Sequence, residues 1–323
     1  MDLSYEFSVG SVRAKETSLL NAQDIEQLLS YQNMPQLCAA LNDKGVGDGG
    51  TVEEILRDRT EKTWAYLKSV APDFEIFRPF IISNDIHNFK AALKGTMAGR
   101  EYRGLMLEPC AVDHNKVIDA VEHRKTSLLP EFMQKPCDEA YELLAHTGDA
   151  RLADSVIDKA AMEEMLRLST QYKSEFLKNY FETLVFYSNI KTAIRAARTG
   201  AGRDFLNKAL CEVSGFNKRA VIEEAVKGSE YLIGSLEKKS DYGVDKAMEA
   251  YKKSPAAFEK YVDDRLILMA REACKRASEG AEPLLGYYLG CEAENKVIHI
   301  ISSGIRTRTN AEIIRERLRE IYG

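Results

Sequence analysis

The 323-residue chain lacks the features that mark membrane, secreted and nucleic-acid-coating proteins. No apolar run approaches the ~20 residues of a membrane-spanning helix, the best candidates being 80–82, 266–270 and 298–301, so we expect no direct lipid span. The N-terminus is acidic, without the basic-then-apolar pattern of a signal peptide, which favours a cytoplasmic protein. A net charge of −5 disfavours nucleic acid as a partner.

Sequence motifs for chemistry are also missing. The six cysteines are scattered without a CxxC pair, and the five histidines form no HExxH motif, so we predict no metal site. No Gly-Lys dipeptide occurs, which excludes a Walker A phosphate loop, and the acidic glycine-rich segment 44–50 is predicted to be a loop between helices. We therefore expect no catalytic residues and no cofactor, and predict that the chain is not an enzyme.

Proline is scarce, and the pattern that remains is helical. None of the eight prolines lies between Pro136 and Pro255, which leaves room for long helices. Thr51 and Glu54 have the spacing of a capping box, and helices are also predicted over 256–277 and 311–322. A stripe with helical spacing, followed by Gly200 and Gly202 as a stop, predicts another long helix: Phe176, Tyr180, Leu184, Tyr187, Ile190, Ile194 and Ala197. No strand alternation is evident, so the predicted class is all-α.

Internal repetition is the most informative pattern in the chain. Asn88–Lys94 is echoed by Asn189–Arg195, roughly a hundred residues later. In both copies a glycine, Gly99 or Gly200, follows the asparagine at the same distance. A fainter third copy begins at Asn295, where Lys296 and Val297 depart from the pattern.

A second marker follows the same order. It is the Leu-rich segment 17–20, which recurs at 126–129 and more weakly at 229–232. We therefore predict three helical repeats, at 1–108, 109–212 and 213–323. Three such units can stack as an open solenoid or close around an axis.

The repeated segments resemble the C-subunit family of V-type and A-type ATP synthases, whose eukaryotic V-ATPase members are known as the d subunit. The resemblance runs from end to end and is carried by Ser83–Lys94 and Ser188–Arg195, with Tyr5, Val12–Ala14, Leu19, Leu20 and Glu294–Ile301. It implies a funnel of three similar helical repeats around a pseudo-threefold axis, with a central cavity. It also implies a non-catalytic rotor component of the central stalk.

The resemblance further implies partners and a location. The cavity of the funnel would receive central-stalk subunits D and F, its closed end would sit on the membrane proteolipid ring, and the membrane stator subunit is a further candidate partner. The protein would be cytoplasmic and peripheral to the membrane, coupling ATP chemistry to ion transport. Two alternatives stay open from the residues alone: a generic α-helical repeat scaffold that binds another protein, and a helical hydrolase, which the missing motifs disfavour.

Nine polar residues are candidates for partner contact. Asp85 and Asn88 lie beside the apolar stripe of one helix, where the alternative role is an inter-helix hydrogen bond. The C-terminal basic cluster around Arg306 is predicted to be a surface helix whose arginines pair with interleaved glutamates. The candidate contacts are Asp85, Asn88, Lys90, Asn189, Lys191, Arg195, Asn295, Arg306 and Arg308.

Overall fold

The computed structural model describes residues 4–323, which form α-helices, short 3-10 segments and loops without any β-strand. The predicted all-α class is confirmed, and the first three positions of predicted repeat 1 lie outside the described residues. The chain divides into two compact units. Unit 1 combines the two ends of the chain, up to Glu75 and from Lys246 onward, and unit 2 is Ile76–Asp245.

Sixteen α-helices account for most of the described chain. The first four are α1 (Tyr5–Glu16), α2 (Ala22–Leu29), α3 (Met34–Asp43) and α4 (Val52–Val70). The next eight are α5 (Arg78–Ala98), α6 (His114–Glu122), α7 (Glu131–Thr147), α8 (Ala150–Ser169), α9 (Glu175–Arg198), α10 (Arg203–Ala209), α11 (Lys218–Lys227) and α12 (Ser229–Leu236). The last four are α13 (Val244–Lys253), α14 (Pro255–Cys274), α15 (Glu282–Arg306) and α16 (Ala311–Arg317).

Helix α15 is the centre of unit 1. It is buried around most of its circumference, and its Val297, Ile298 and Ile301 share one apolar cluster with α2, α3 and α4. A helix that is apolar on all sides is stable only when other elements surround it. The single tryptophan, Trp64 on α4, packs against the α15 ring of Tyr288, with the ring centroids 4.6 Å apart.

Local signals in the sequence determine where several helices begin. The predicted capping box at Thr51 and Glu54 is confirmed, because the Glu54 N–H donates to Thr51 Oγ1 and the Thr51 N–H donates to Glu54 Oε2. Asn21 and Asp24 form a second capping box at the start of α2. Each box satisfies amide groups that would otherwise lack partners in the first turn.

The predicted long helix is α9, and the whole predicted stripe lies inside it, buried or half-buried. The helix is also buried on neighbouring faces, through Leu177, Phe181 and Val185. Gly200 has the left-handed φ of 66° that ends the helix, as predicted, and Gly202 is the N-cap of α10.

Helices α5 and α9 end in the same way. Gly99 and Gly200 are both left-handed, and the following residue donates to the carbonyl five positions earlier, from Arg100 to Gly95 and from Ala201 to Ala196, each at 2.9 Å. These are Schellman endings at matched positions of the first two sequence repeats. Helix α15 closes with the same type of bond, from the Thr309 N–H to the Gly304 carbonyl, but there the left-handed residue is Arg308.

The prediction of a helix over 311–322 is wrong at its C-terminal end. Helix α16 stops at Arg317, and Leu318 is extended. Tyr322 is completely buried, in contact with Gly286 of α15, where an added Cβ would lie 2.3 Å from Tyr322 Oη. The carbonyl of Leu318 accepts from Lys260 Nζ at 2.6 Å. These tertiary contacts outweigh the helical propensity of the last residues.

Candidate partner-binding cavity

Helix α5 uses two buried polar residues to hold the segment that follows it. Asn88 Nδ2 donates to the Leu107 carbonyl at 3.0 Å, and the Leu107 N–H donates back to Asn88 Oδ1 at 2.7 Å. Asp85 Oδ1 accepts from the amides of Ala111 and Val112. Burial of Asp85 raises the pKa of its carboxyl, and the two amide bonds oppose that rise. Both side chains therefore make helix-to-loop bonds, which a buried Asn or Asp requires.

Helix α9 repeats this arrangement. Asn189 Nδ2 donates to the Cys211 carbonyl at 2.9 Å, and the Cys211 N–H donates to Asn189 Oδ1 at 3.0 Å. Asn189 and Asn88 thus make the same pair of bonds to the main chain of one later residue. Asn295 on α15 makes different contacts, accepting from Arg59 Nη1 and donating to Glu292.

A cavity of about 810 Å³ opens in unit 2 between α5, α8, α9 and α10. Three of the bases singled out by the repeat line it: Lys90 from α5, and Lys191 and Arg195 from α9. Lys191 and Arg195 are exposed and stand one turn apart. The fold therefore brings together three candidates that are far apart in sequence.

Acidic side chains of α8 form ion pairs with lysines of α5. Asp158 pairs with Lys90, and Asp154 pairs with Lys94 at 2.7 Å. Asp149, which also lines the cavity, caps the N-terminus of α8 by accepting from two amides. The cavity wall is consequently mixed in charge, with the exposed bases on α9.

The cavity is also lined by residues that the sequence did not indicate as candidates for partner contact. Arg151, Asp154 and Asp158 belong to α8, which carries neither repeat marker. In the sequence these residues are spaced three and four apart, which places them on one face of a helix. The same spacing is equally typical of any solvated helix face. Only the packing of α8 against α5 and α9 identifies them as cavity residues.

The remaining predicted contacts lie elsewhere. Asp85, Asn88 and Asn189 are buried at the helix–loop bonds of unit 2, and Asn295 is buried in unit 1. Arg306 and Arg308 are exposed near the end of α15, with Arg306 paired to Glu53. A role of these residues in partner contact stays a prediction.

The arginines near the C-terminus form ion pairs, but with acids other than the expected ones. Arg315 pairs with Glu26 on α2 at 2.7 Å, and Arg319 pairs with Asp263 on α14 at 2.9 Å. Arg315 lies on α16 and Arg319 lies in the non-helical segment after it, and each reaches a neighbouring helix. The basic cluster therefore fastens the C-terminal segment to the rest of unit 1.

Across residues 4–323, none of the helices combines the length and apolar character that crossing a membrane would require.

Comparison with known proteins gives the family. The family model described as "ATP synthase (C/AC39) subunit" matches residues 8–317. The chain belongs to this family. The resemblance noted from the repeated segments is thereby confirmed.

Curated relatives of the C/AC39 family match along nearly the same span. The chain is 21% identical to the C subunit of the V-type sodium ATPase of Enterococcus hirae, over 96% of this chain and 97% of the relative. It is 23% identical to the C subunit of the A-type ATP synthase of Methanothermobacter thermautotrophicus, over 91% and 82%. It is 27% identical to the corresponding A-type ATP synthase subunit of Methanobrevibacter smithii, over 92% and 83%.

Proposed function

We propose that this C/AC39 protein is a non-catalytic rotor part of a V-type or A-type ATPase, cytoplasmic and peripheral to the membrane. It couples a central stalk of subunits D and F to the membrane proteolipid ring during ion transport. The observation that carries the proposal is the family match over residues 8–317, which spans both units. The relatives named as ATPase subunits match over 97% and 82% of their own length, which supports a role that involves both units.

The stalk is proposed to dock at the cavity of unit 2. The chain has to hold two partners at once, which requires two separate surfaces. The cavity is large and bordered by charge, and the side chains of Lys191 and Arg195 are exposed at its wall. Charged contacts of this kind steer association and set its salt dependence.

Affinity purification tests the proposed role. The tagged full-length chain, expressed in its own host and purified from detergent-solubilised membranes, should bring down subunits D and F together with the proteolipid ring. Recovery of some other protein without these subunits would instead support a generic repeat scaffold, and the proposed function would be wrong.

Reversing the three cavity bases is expected to weaken stalk binding. In the variant Lys90→Glu, Lys191→Glu, Arg195→Glu, association with D–F should slow by about tenfold or more at low salt, because steering by charge acts on encounter. The difference should shrink as ionic strength rises, since salt screens exposed charges. Association kinetics at several salt concentrations measure it.

A matched variant separates this local effect from the change in net charge. Arg219, Lys227 and Lys238 are exposed bases of unit 2 that lie outside the cavity lining. Reversing them to glutamate changes the total charge equally and should slow association less. Normal binding by the cavity variant at low salt would contradict the assignment of this face.

The chain alone is expected to bind no Mg-ATP. The glycine-rich loop between α3 and α4 is its nearest approach to a phosphate loop, yet two of its amides already donate to carboxylates. The Asp48 N–H donates to Asp58 Oδ2 and the Gly50 N–H donates to Glu54 Oε2, so a phosphate would meet carboxylates instead of open amides. Calorimetry with millimolar Mg-ATP checks this expectation, and a stoichiometric micromolar site would contradict it.

A further inference from the structure

The end of the segment that joins α5 to α6, together with the first residue of α6, brings three different metal-ligand side chains close together. Cys110 Sγ lies 3.4 Å from Glu108 Oε1, and His114 Nε2 lies 3.3 Å from the same oxygen. The three ligand atoms are all within 4.8 Å of one another. In the described part of the chain this is the group of His, Cys and carboxylate ligands close enough to share one ion.

These separations match the edges of a tetrahedral zinc site. Zinc bonds of about 2.3 Å to sulfur and about 2.0 Å to nitrogen and oxygen place sulfur about 3.5 Å from oxygen, and nitrogen about 3.3 Å from oxygen. The two distances to Glu108 Oε1 agree with these values. We propose that Glu108, Cys110 and His114 bind one divalent metal ion of the zinc class, with water as the fourth ligand.

The main chain around the three residues is already fixed by α5. Asn84 Nδ2 donates to the Pro109 carbonyl at 2.9 Å, and Asp85 accepts the amides of Ala111 and Val112 on the other side of Cys110. Ligands on a pre-positioned backbone lose little conformational freedom when the ion binds, which favours affinity. Asn84 and Asp85 of α5 thus hold in place the main chain on both sides of Cys110.

The exposure of the three ligands and the negative charge around them favour entry of a cation. The side chain of Glu108 is 64% exposed and that of His114 is 31% exposed, so the site opens to solvent and leaves room for the water ligand. The carboxylates of Glu108, Asp85 and Asp113 all act electrostatically on the Cys110 sulfur. A dication entering there meets negative charge from every one of these groups.

The donor set favours zinc over magnesium or calcium. A thiolate with an imidazole selects zinc-class ions, whereas magnesium and calcium prefer oxygen ligands alone. On binding, the Cys110 S–H bond breaks, its proton leaves to solvent, and the sulfur forms the metal bond, while neutral His114 binds through Nε2. No oxidation or reduction is involved.

Cobalt and zinc titrations of the full-length chain test the proposal. Reduced, metal-free protein should bind one equivalent of Zn²⁺, and Co²⁺ should give the sulfur-to-cobalt charge-transfer absorption. Among the six cysteines only Cys110 is not buried, so it should be the residue that a thiol reagent modifies in the folded protein. Bound Zn²⁺ should slow that modification at least tenfold.

Three single variants remove one ligand each: Glu108→Gln, Cys110→Ser and His114→Ala. Each should lose about a hundredfold or more in Zn²⁺ affinity, since even outer-shell changes cost 10–100-fold. His146→Ala is the matched control, because His146 pairs with Glu142 and is not part of the group of close metal ligands. It should bind zinc as the unaltered chain does.

Circular dichroism establishes that each variant keeps its helical content. If Cys110→Ser does not fold, Glu108→Gln retains the thiol and gives both readouts. The proposal is overturned if the unaltered chain takes up no stoichiometric zinc, if zinc leaves the modification rate of Cys110 unchanged, or if the ligand variants bind zinc as tightly as His146→Ala.

Discussion

Glu294→Ala is expected to destabilise unit 1 by about 3–5 kcal/mol, as breaking a buried ion pair typically does. Glu294 is completely buried, and its Oε2 lies 2.5 Å from Arg59 Nη2, whose side chain is 9% exposed. Its other oxygen accepts the Leu20 amide at 2.9 Å. Burial raises the pKa of Glu294 to about 7, against the opposing effect of Arg59. Removing the carboxyl leaves the permanently charged guanidinium buried beside an unpaired amide.

Trp64 provides the measurement. It lies one turn and a half beyond Arg59 on α4 and packs on Tyr288 of α15, so its fluorescence reports unfolding of the α4–α15 contact. As it is the only tryptophan, the signal comes from unit 1 alone. Denaturant titration followed at this residue should give a clearly lower midpoint for Glu294→Ala.

Two further variants distinguish a buried unpaired charge from a general loss of contact. Glu53→Ala removes the exposed pair with Arg306 and should cost less than about 1 kcal/mol. Replacing both partners, as Arg59→Met with Glu294→Leu, should recover part of the loss, because no charge stays buried. If Glu294→Ala costs no more than Glu53→Ala, the pair does not stabilise unit 1 as argued.

Local signals predicted much of the fold. The capping box at Thr51, the stripe along α9 and the stop at Gly200 all depend on interactions within a few residues, and the structure has them where expected. The position at which α16 ends depends instead on a distant contact. Tyr322 packs beside Gly286 of α15, which is more than thirty residues earlier in the chain. A contact between distant residues does not change the spacing of apolar residues in the segment, so the sequence pattern does not show it.

The same distinction applies to the sites. The repeat indicated Lys90, Lys191 and Arg195, and these three bases line one cavity. The sequence did not identify Asp154 and Asp158 of α8 as cavity residues, since they become neighbours of these bases only through helix packing. The Glu108, Cys110 and His114 cluster fits neither of the metal motifs sought in the sequence, because two of its residues lie in a loop and the third begins α6.

Asn189→Ala is expected to cost about 2–4 kcal/mol in unit 2. The side chain is 1% exposed, and its amide satisfies both the N–H and the carbonyl of Cys211, which is itself completely buried. Alanine would leave two buried main-chain groups without a partner, each costing about 1–3 kcal/mol. Amide hydrogen exchange should show the loss directly, as faster exchange at Cys211, and denaturant unfolding followed by circular dichroism should show the lower stability.

Asn88→Ala is the matched variant, because Asn88 makes the same two bonds to Leu107. Leu107 is an exposed residue, at 42%, so water can reach its freed N–H and carbonyl more easily than those of Cys211, which is completely buried. The cost of Asn88→Ala should therefore be smaller, near ~1 kcal/mol for a hydrogen bond that water can replace. Equal losses in the two variants would mean that the asparagines matter for filling space, and that solvent access to the bonded main chain does not set the cost.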